Sequence, residues 1–433
     1  MRRLIEADLV EWMRADHRKP LLVRGARQVG KTHSLEKLGR DHFEHALVVD
    51  FEKHARAHQV FSGDLDARGL IQQLEVVMDC RIEAGKTLLL LDEIQACPRA
   101  ITALRYFYED YPELHVVAAG SLLEFALGGI SFPVGRVQLL EMHPMTLVEF
   151  LWALERERAA EIALSPPESM PEAMHRELLA AVREYCFVGG MPECVALYAE
   201  HRSLKRCFDL QDTLIATIRA DFPKYAGRSD PGCLDAVLES IPRRVGQQIK
   251  YTRLAEAYSG PTIKKAFDLL QRARIVHKVR ASSASGLPLG FGVSSRRFKA
   301  LFLDVGLWQR LSGLRSHELA AGDLLEIYQG ALAEQYVGQE MRVSQGADLH
   351  YWTRESRGSQ AEVDYLAVID GRIHGVEVKS GSAGRLRSLH CLLEENPGVA
   401  GGLVLSSRPY ERLPEQKLTF LPLYRAFSAT SDS

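Results

Sequence analysis

"LLVRGARQVGKTHSLEK", residues 21–37, joins an apolar strand to a helical pattern through a glycine-rich loop. The loop is Gly25-Ala26-Arg27-Gln28-Val29-Gly30-Lys31-Thr32, the spacing G-x-x-x-x-G-K-T. Strand, loop and helix in that order are the context in which such a loop cradles phosphates. Gly25 and Gly30 let the backbone turn so that successive N–H groups face phosphate oxygens. Lys31 then reaches the β and γ phosphates of a nucleotide such as ATP, and Thr32 ligates Mg2+. The helix N-terminus adds its dipole to the anion site.

A second stretch, "KTLLLLDEIQ" at 86–95, is a continuous apolar run of the kind buried in a parallel sheet. It ends in Asp92-Glu93, where Asp92 holds magnesium and Glu93 polarises the attacking water. "ALVVDFE" (46–52) and "LHVVAAGS" (114–121) repeat the strand-helix rhythm. Four such strands predict a doubly wound α/β sheet with its ligand beyond the carboxyl ends of the strands. Glu52 and Ser121 fall at those ends. Ser121 is placed to sense the γ-phosphate, with a simple helix cap as the plainer alternative. Arg136, in "FPVGRV", is a candidate for the positive charge that stabilises phosphoryl transfer; an ordinary salt-bridged surface arginine is the other reading.

With 433 residues the chain exceeds one usual domain, which predicts two or three cores. Hydrophobic residues at 46% and charged residues at 25% are those of a soluble globular protein. A formal charge of -2 excludes a protein that coats nucleic acid by charge alone, while leaving room for a local basic patch. No apolar run approaches the roughly 18 residues of a membrane span. Seven cysteines without C-x-x-C spacing predict free thiols. A cytoplasmic protein without membrane partners is the expectation.

The run "RGARQVGKT", "LLLLDEIQ", "AAGSLLEFAL", "PVGRVQLLEMHPMTLVEF", "FVGGMPECV" and "DFPKY" resembles the bacterial and archaeal AAA-type ATPases that carry a C-terminal domain of unknown function. The likeness continues through "RRFKALFLDVGLW", "GALAEQYVGQEM" and "EVDYLAVIDGRIHGVEVKSG", and so covers nearly the whole chain. It implies an ATP-binding first domain and a last domain resembling the restriction-endonuclease fold. After Ser121 this chain reads "LLE", where family members often have further hydroxyl residues.

Residues 150–230 carry amphipathic helical patterns, interrupted by the Pro- and Ser-rich loop "SPPESMP". Further on, two helical stretches around Ser259-Gly260-Pro261, then "IVHKV" and "ASSASG", outline a winged helix-turn-helix. Its Lys264, Lys265 and Arg272 are candidate phosphate contacts, or a solvated helix face.

Within "AEVDYLAVIDGRIHGVEVKSG" (361–381), Asp370-Gly371 predicts a two-residue hairpin turn. That register sets Asp364 opposite Glu377 and Glu362 opposite Lys379, all four on one face. Opposed carboxylates repel unless compensated, and oxygen ligands suit Mg2+ or Mn2+. Asp364 and Glu377 are the metal candidates, and Lys379 orients water or stabilises phosphate charge. The plainer reading is a polar strand face with a Glu362–Lys379 ion pair. The resemblance implies a PD-(D/E)xK nuclease site, with Glu334 as an added helix ligand and Val363 in place of the usual proline.

These readings predict an ATPase domain over 1–150, a helical region over 151–235, a winged-helix-like region over 236–312 and a restriction-endonuclease-like α/β domain over 313–433. ATP turnover would gate action on nucleic acid, DNA before RNA, with metal-dependent cleavage as an output. The alternative is an ATP-dependent switch or protein-binding scaffold with an inactive nuclease-like domain. A homo-oligomer rests only on Arg136 being donated to a neighbour.

Overall fold

The computed structural model describes residues 1–126, 132–227, 229–313, 324–346, 348–354, 361–380 and 386–430. The chain divides into two compact units, Arg2–His143 and a larger one running from Pro144 to the C-terminus.

The N-terminal unit is built on five strands: β1 (Leu21–Arg24), β2 (His45–Asp50), β3 (Thr87–Asp92), β4 (His115–Gly120) and β5 (Gln138–Glu141). Their order is β2-β3-β4-β1-β5, and every pair is parallel. β3 and β4 are buried along their whole length, as uninterrupted apolar runs require when helices cover both faces of a sheet. Leu89, Leu91, Val116 and Ala118 meet Ile101, Leu104 and Phe107 of the Pro98–Asp110 helix in one core. Pro98 starts that helix where its missing N–H costs nothing. β5 is a fifth strand where the sequence predicts four. Its four residues are only half covered, so it lacks the apolar run that betrays the other strands.

In the larger unit, helices Leu147–Ala153, Glu157–Leu164, Glu172–Val188, Pro192–His201 and Leu204–Ala220 come first. A reciprocal capping box between Thr146 and Glu149 fixes the start of the first. The expected Pro- and Ser-rich loop separates the second and third. Next come helices Pro231–Ser240 and Gly260–Arg272, then an eight-stranded mixed sheet. Its strands are β6 (Val276–Ser282), β7 (Val293–Phe302), β8 (His350–Thr353), β9 (Glu362–Ile369), β10 (Arg372–Val378), β11 (Val399–Ser406), β12 (Glu411–Leu413) and β13 (Leu418–Pro422). They are ordered β12-β13-β11-β10-β9-β8-β6-β7.

Two features of the winged-helix outline differ from expectation. The stretch before Ser259 is not a helix but one 3-10 turn, Tyr251–Arg253; Ser259 caps the following helix by accepting from the Thr262 N–H, and Pro261 occupies its first turn. The β6–β7 hairpin is no free-standing wing, because β6 also pairs parallel to β8 and carries the hairpin into the large sheet.

The Leu324–Gln345 helix buries polar side chains. Gln335 bonds both the N–H and the carbonyl of Phe302 at 2.9 Å. Gln339 accepts from the Val305 N–H at 2.8 Å and donates to the Tyr185 hydroxyl at 2.7 Å. Glu340 accepts from the Leu147 N–H at 3.0 Å, while its second oxygen is buried without a hydrogen-bond partner among the described residues. Burial pushes the Glu340 carboxyl up from 4.5 to about 8. A raised carboxyl gives stability that is complete below the unfolded pKa and is lost as pH rises through the folded one. Wild type therefore loses stability between about pH 4.5 and 8 through this group. Glu340→Gln is expected to flatten that decline and raise the unfolding midpoint at pH 8, by about 2–4 °C per kcal/mol. Melting curves of both proteins at pH 5 and 8 that shift in parallel would count against it.

All seven cysteines are free thiols. Among the described residues no helix is long and apolar enough to cross a membrane.

Candidate functional site

The glycine-rich loop leaves β1 and enters the Lys31–His42 helix. A Cβ on Gly25 would lie 2.3 Å from the Met142 carbonyl oxygen, so the loop passes β5 too closely for any side chain. Gly30 has φ 94°, a left-handed conformation that favours glycine. Gln28 also has positive φ, at 63°. The Lys31 ammonium is buried and donates to the carbonyls of Gly25 and Ala26 at 3.1 and 2.8 Å. The loop is thus wrapped around its own lysine.

The Thr32 hydroxyl donates to Asp92 Oδ2 at 2.8 Å, joining the loop to the end of β3. Burial raises the Asp92 carboxyl, opposed by the bonds from Thr32 and the Glu93 N–H. A hydroxyl and a carboxylate held together at the edge of a phosphate loop are a donor set that fits magnesium. Glu93 follows in a left-handed conformation, φ 48°, and its carboxylate accepts from the Gln95 amide. Ser121 lies just past β4, the strand between β1 and β3. Its hydroxyl is buried with no hydrogen-bond partner among the described residues. Arg136 stands apart in character, as an exposed ion pair with Glu109 at 3.1 Å.

At the other candidate site, Asp370 and Gly371 have φ 47° and 69°, as a two-residue hairpin turn requires. β9 and β10 pair from Ile369↔Arg372 to Tyr365↔Val376, the register expected from the turn. Asp364 Oδ2 accepts from the Val378 N–H at 2.8 Å. Glu377 Oε1 accepts from Lys379 at 2.6 Å, and Glu377 Oε2 is buried without a hydrogen-bond partner among the described residues. Burial, with Asp364 nearby, pushes the Glu377 carboxyl up to about 7.

The Glu362–Lys379 ion pair of the plainer reading does not form. Lys379 turns to Glu377 on its own strand, and Glu362 meets Lys299 at 2.7 Å. Lys299, on β7, also lies 3.0 Å from Glu334 and 3.6 Å from Asp364, and its side chain is only 2% exposed. Its ammonium stands 5.1 Å from the centre of the Tyr351 ring. Three carboxylates hold its pKa far above the ordinary lysine value despite burial. Burial and Asp364 raise the Glu334 carboxyl to about 8, with Lys299 acting against them.

Lys299 is not among the residues that the sequence singles out, since "RRFKALFLDVGLW" enters only as part of the family likeness; its place after Phe298 in an alternating strand is the available signal. Much of the compensation expected from a divalent cation is thus supplied by this lysine. Among the described residues no three His, Cys, Asp or Glu side chains converge as a metal cage. Glu334 and Asp364 both lie within ion-pair distance of Lys299, and Glu377 Oε2 is left without a hydrogen-bond partner among the described residues.

Residues 17–151 match the family model described as AAA domain. Residues 179–318 and 329–425 match two models described as domains of unknown function, DUF8612 and DUF4143. No curated protein matches the chain. Among solved structures, PCH-2 of C. elegans is similar at 14% identity over 48% of this chain and 65% of that one, with a TM-score of 0.28. AMPPCP-bound DnaA from Aquifex aeolicus is similar at 15% identity over 61% and 86%, with a TM-score of 0.29. A Thermotoga maritima RuvB variant is similar at 16% identity over 63% and 85%, with a TM-score of 0.29. The match to the AAA domain model thus falls on the parallel sheet and on the phosphate-type loop that leaves β1.

Proposed function

We propose that the protein binds ATP with magnesium at the N-terminal loop, hydrolyses it, and uses the cycle to control nucleic acid held by the larger unit. The Thr32–Asp92 bond at 2.8 Å carries this reading, because it ties the phosphate loop to the acidic end of β3. Gly25 through Thr32 cradle the phosphates, and Lys31 exchanges its loop carbonyls for phosphate oxygens. Thr32 and Asp92 hold magnesium, which neutralises charge on the β and γ phosphates. Glu93 orients and polarises the attacking water, and the free hydroxyl of Ser121 contacts the γ-phosphate. Arg136, exposed as it is, serves only if a second copy of the chain brings it to a neighbouring nucleotide.

Nucleic acid, DNA before RNA, is supported by the exposed Lys250, Arg253, Lys264, Lys265 and Arg272 between residues 250 and 272. Phosphates reward such a cluster by counterion release. In the same reading Asp364 and Glu377 hold one magnesium or manganese ion, Lys379 faces the phosphate, and phosphodiester cleavage is the output. Lys299 favours a second reading: a cluster that carries its own cation suits an ATP-driven switch or scaffold that binds without cutting.

ATP turnover measured with and without single- and double-stranded DNA, in magnesium and then manganese, tests both. Stimulation with cutting that disappears in Glu377→Ala supports the nuclease. Stimulation without cutting leaves the switch. Turnover indifferent to DNA, with no binding, removes nucleic acid altogether.

A further inference from the structure

We propose that Lys299 is a resident cation, filling the Glu334–Glu362–Asp364 half of the carboxylate cluster and keeping a divalent ion out of it. The inference bears on the metal reading above, since it restricts that reading to one ion at Asp364 and Glu377.

Three observations carry it. The ammonium is within 2.7 to 3.6 Å of oxygens on Glu334, Glu362 and Asp364, the separations of bonded ion pairs. A divalent ion would need those same oxygens at about 2.0–2.2 Å, which the lysine already occupies. Burial makes the arrangement exclusive: with the lysine side chain 2% exposed, little water is present to screen the repulsion between it and an incoming cation.

The compensation is also partial, and it is partial in one place. Glu334, Glu362, Asp364 and Glu377 are four carboxylates, against the two ammonium groups of Lys299 and Lys379. Glu377 Oε2 has no hydrogen-bond partner among the described residues, and Glu377 forms no ion pair with Lys299. Lys299 therefore neutralises Glu334 and Glu362 from within the cluster, while Asp364 is shared between it and the Glu377–Lys379 pair.

The position of Lys299 in the chain gives the division a structural cause. It comes from β7, whose register with β6 sets Lys299 against Val279, whereas its partners come from β9 and from the Leu324–Gln345 helix. One side chain thus ties the hairpin of the middle region to the carboxylate strand and to the helix. Removing its charge leaves three acids facing one another, and their repulsion is relieved either by a proton on Glu334, whose carboxyl is already raised to about 8, or by a divalent ion.

The test is manganese binding to the nucleotide-free full-length protein, counted by electron paramagnetic resonance, together with thermal unfolding with and without manganese. Lys299→Met, which keeps the aliphatic stem and loses the charge, is expected to bind one more ion per chain than wild type. Manganese should raise its unfolding midpoint more than it raises that of wild type. Lys299→Arg, which keeps the charge, should retain the wild-type count.

One more ion in Lys299→Met than in wild type supports the proposal, and a wild-type ion that is lost in Glu377→Ala supports the metal reading with it. None in wild type and one in Lys299→Met supports the proposal and removes the metal from Asp364 and Glu377. Equal counts in wild type and Lys299→Met overturn the proposal. So does a Lys299→Met protein that fails to fold and is not restored by manganese, because an ion able to enter would replace the missing charge.

Discussion

Lys31→Ala is expected to weaken ATP binding by roughly 30-fold to several thousandfold, the 2–5 kcal/mol lost when one partner of a buried charged hydrogen bond is truncated. The ammonium is buried in the loop and donates to two of its carbonyls, so it sits at the centre of the cradle rather than at its rim. Without nucleotide the truncation already removes a charged donor from two loop carbonyls, at about 1.5–3 kcal/mol per bond. With nucleotide the loss is the charge itself. Wild type at a hundredfold excess of ATP over its dissociation constant gains about 2.7 kcal/mol of stability. Lys31→Ala should lose most of that gain, read as the ATP-induced shift of its own melting midpoint rather than against that of wild type. Titration calorimetry and paired melting curves measure the two quantities separately. Wild-type affinity in the variant would remove Lys31 from the nucleotide site.

What the sequence makes legible follows from how local the signal is. β3 and β4 are buried on both faces, so "TLLLLD" and "HVVAAG" state their own position. The P-loop is legible because its spacing is a backbone requirement: Gly30 is left-handed, and Gly25 has no room for a Cβ. The β9–β10 hairpin is legible for the same reason, since Asp370-Gly371 fixes turn and register together. β5 hides because it is short and half exposed, held by pairing with β1 rather than by its own apolarity.

Side-chain partnership over long sequence separation is where the reading stops. The hairpin register places Glu362 in the neighbourhood of Lys379, yet nothing local announces that Lys299 will outcompete Lys379 for it. The winning pair is decided by burial, which requires the whole sheet to exist. Glu334 shows the same limit. Its place on a helix is evident from pattern, whereas its bond to Lys299 depends on β7 lying against that helix. The orphaned oxygens of Ser121, Glu340 and Glu377 are likewise visible only after the packing is known.

Glu93→Gln separates binding from chemistry in the nucleotide site. The substitution keeps the shape of the side chain, and its amide oxygen can still accept from Gln95, so the left-handed turn after Asp92 has no reason to move. Lys31, Thr32 and Asp92 keep their bonds, and ATP affinity should stay within a few-fold of wild type. Turnover should fall roughly 10²–10⁴-fold, the contribution of a positioned base. A large fall in kcat with affinity retained is the signature of an interaction made in the transition state. Gln95 adds a further check. Its amide donates to Glu93, while its amide oxygen packs over Gly120, where a Cβ would lie 2.5 Å away, and has no hydrogen-bond partner among the described residues. Gln95→Ala frees the carboxylate to wander without removing it, and should lower turnover by less than Glu93→Gln does. Single-turnover kinetics on the two variants order these effects. A Gln95→Ala protein slower than Glu93→Gln would move the catalytic role away from the carboxylate and toward the amide.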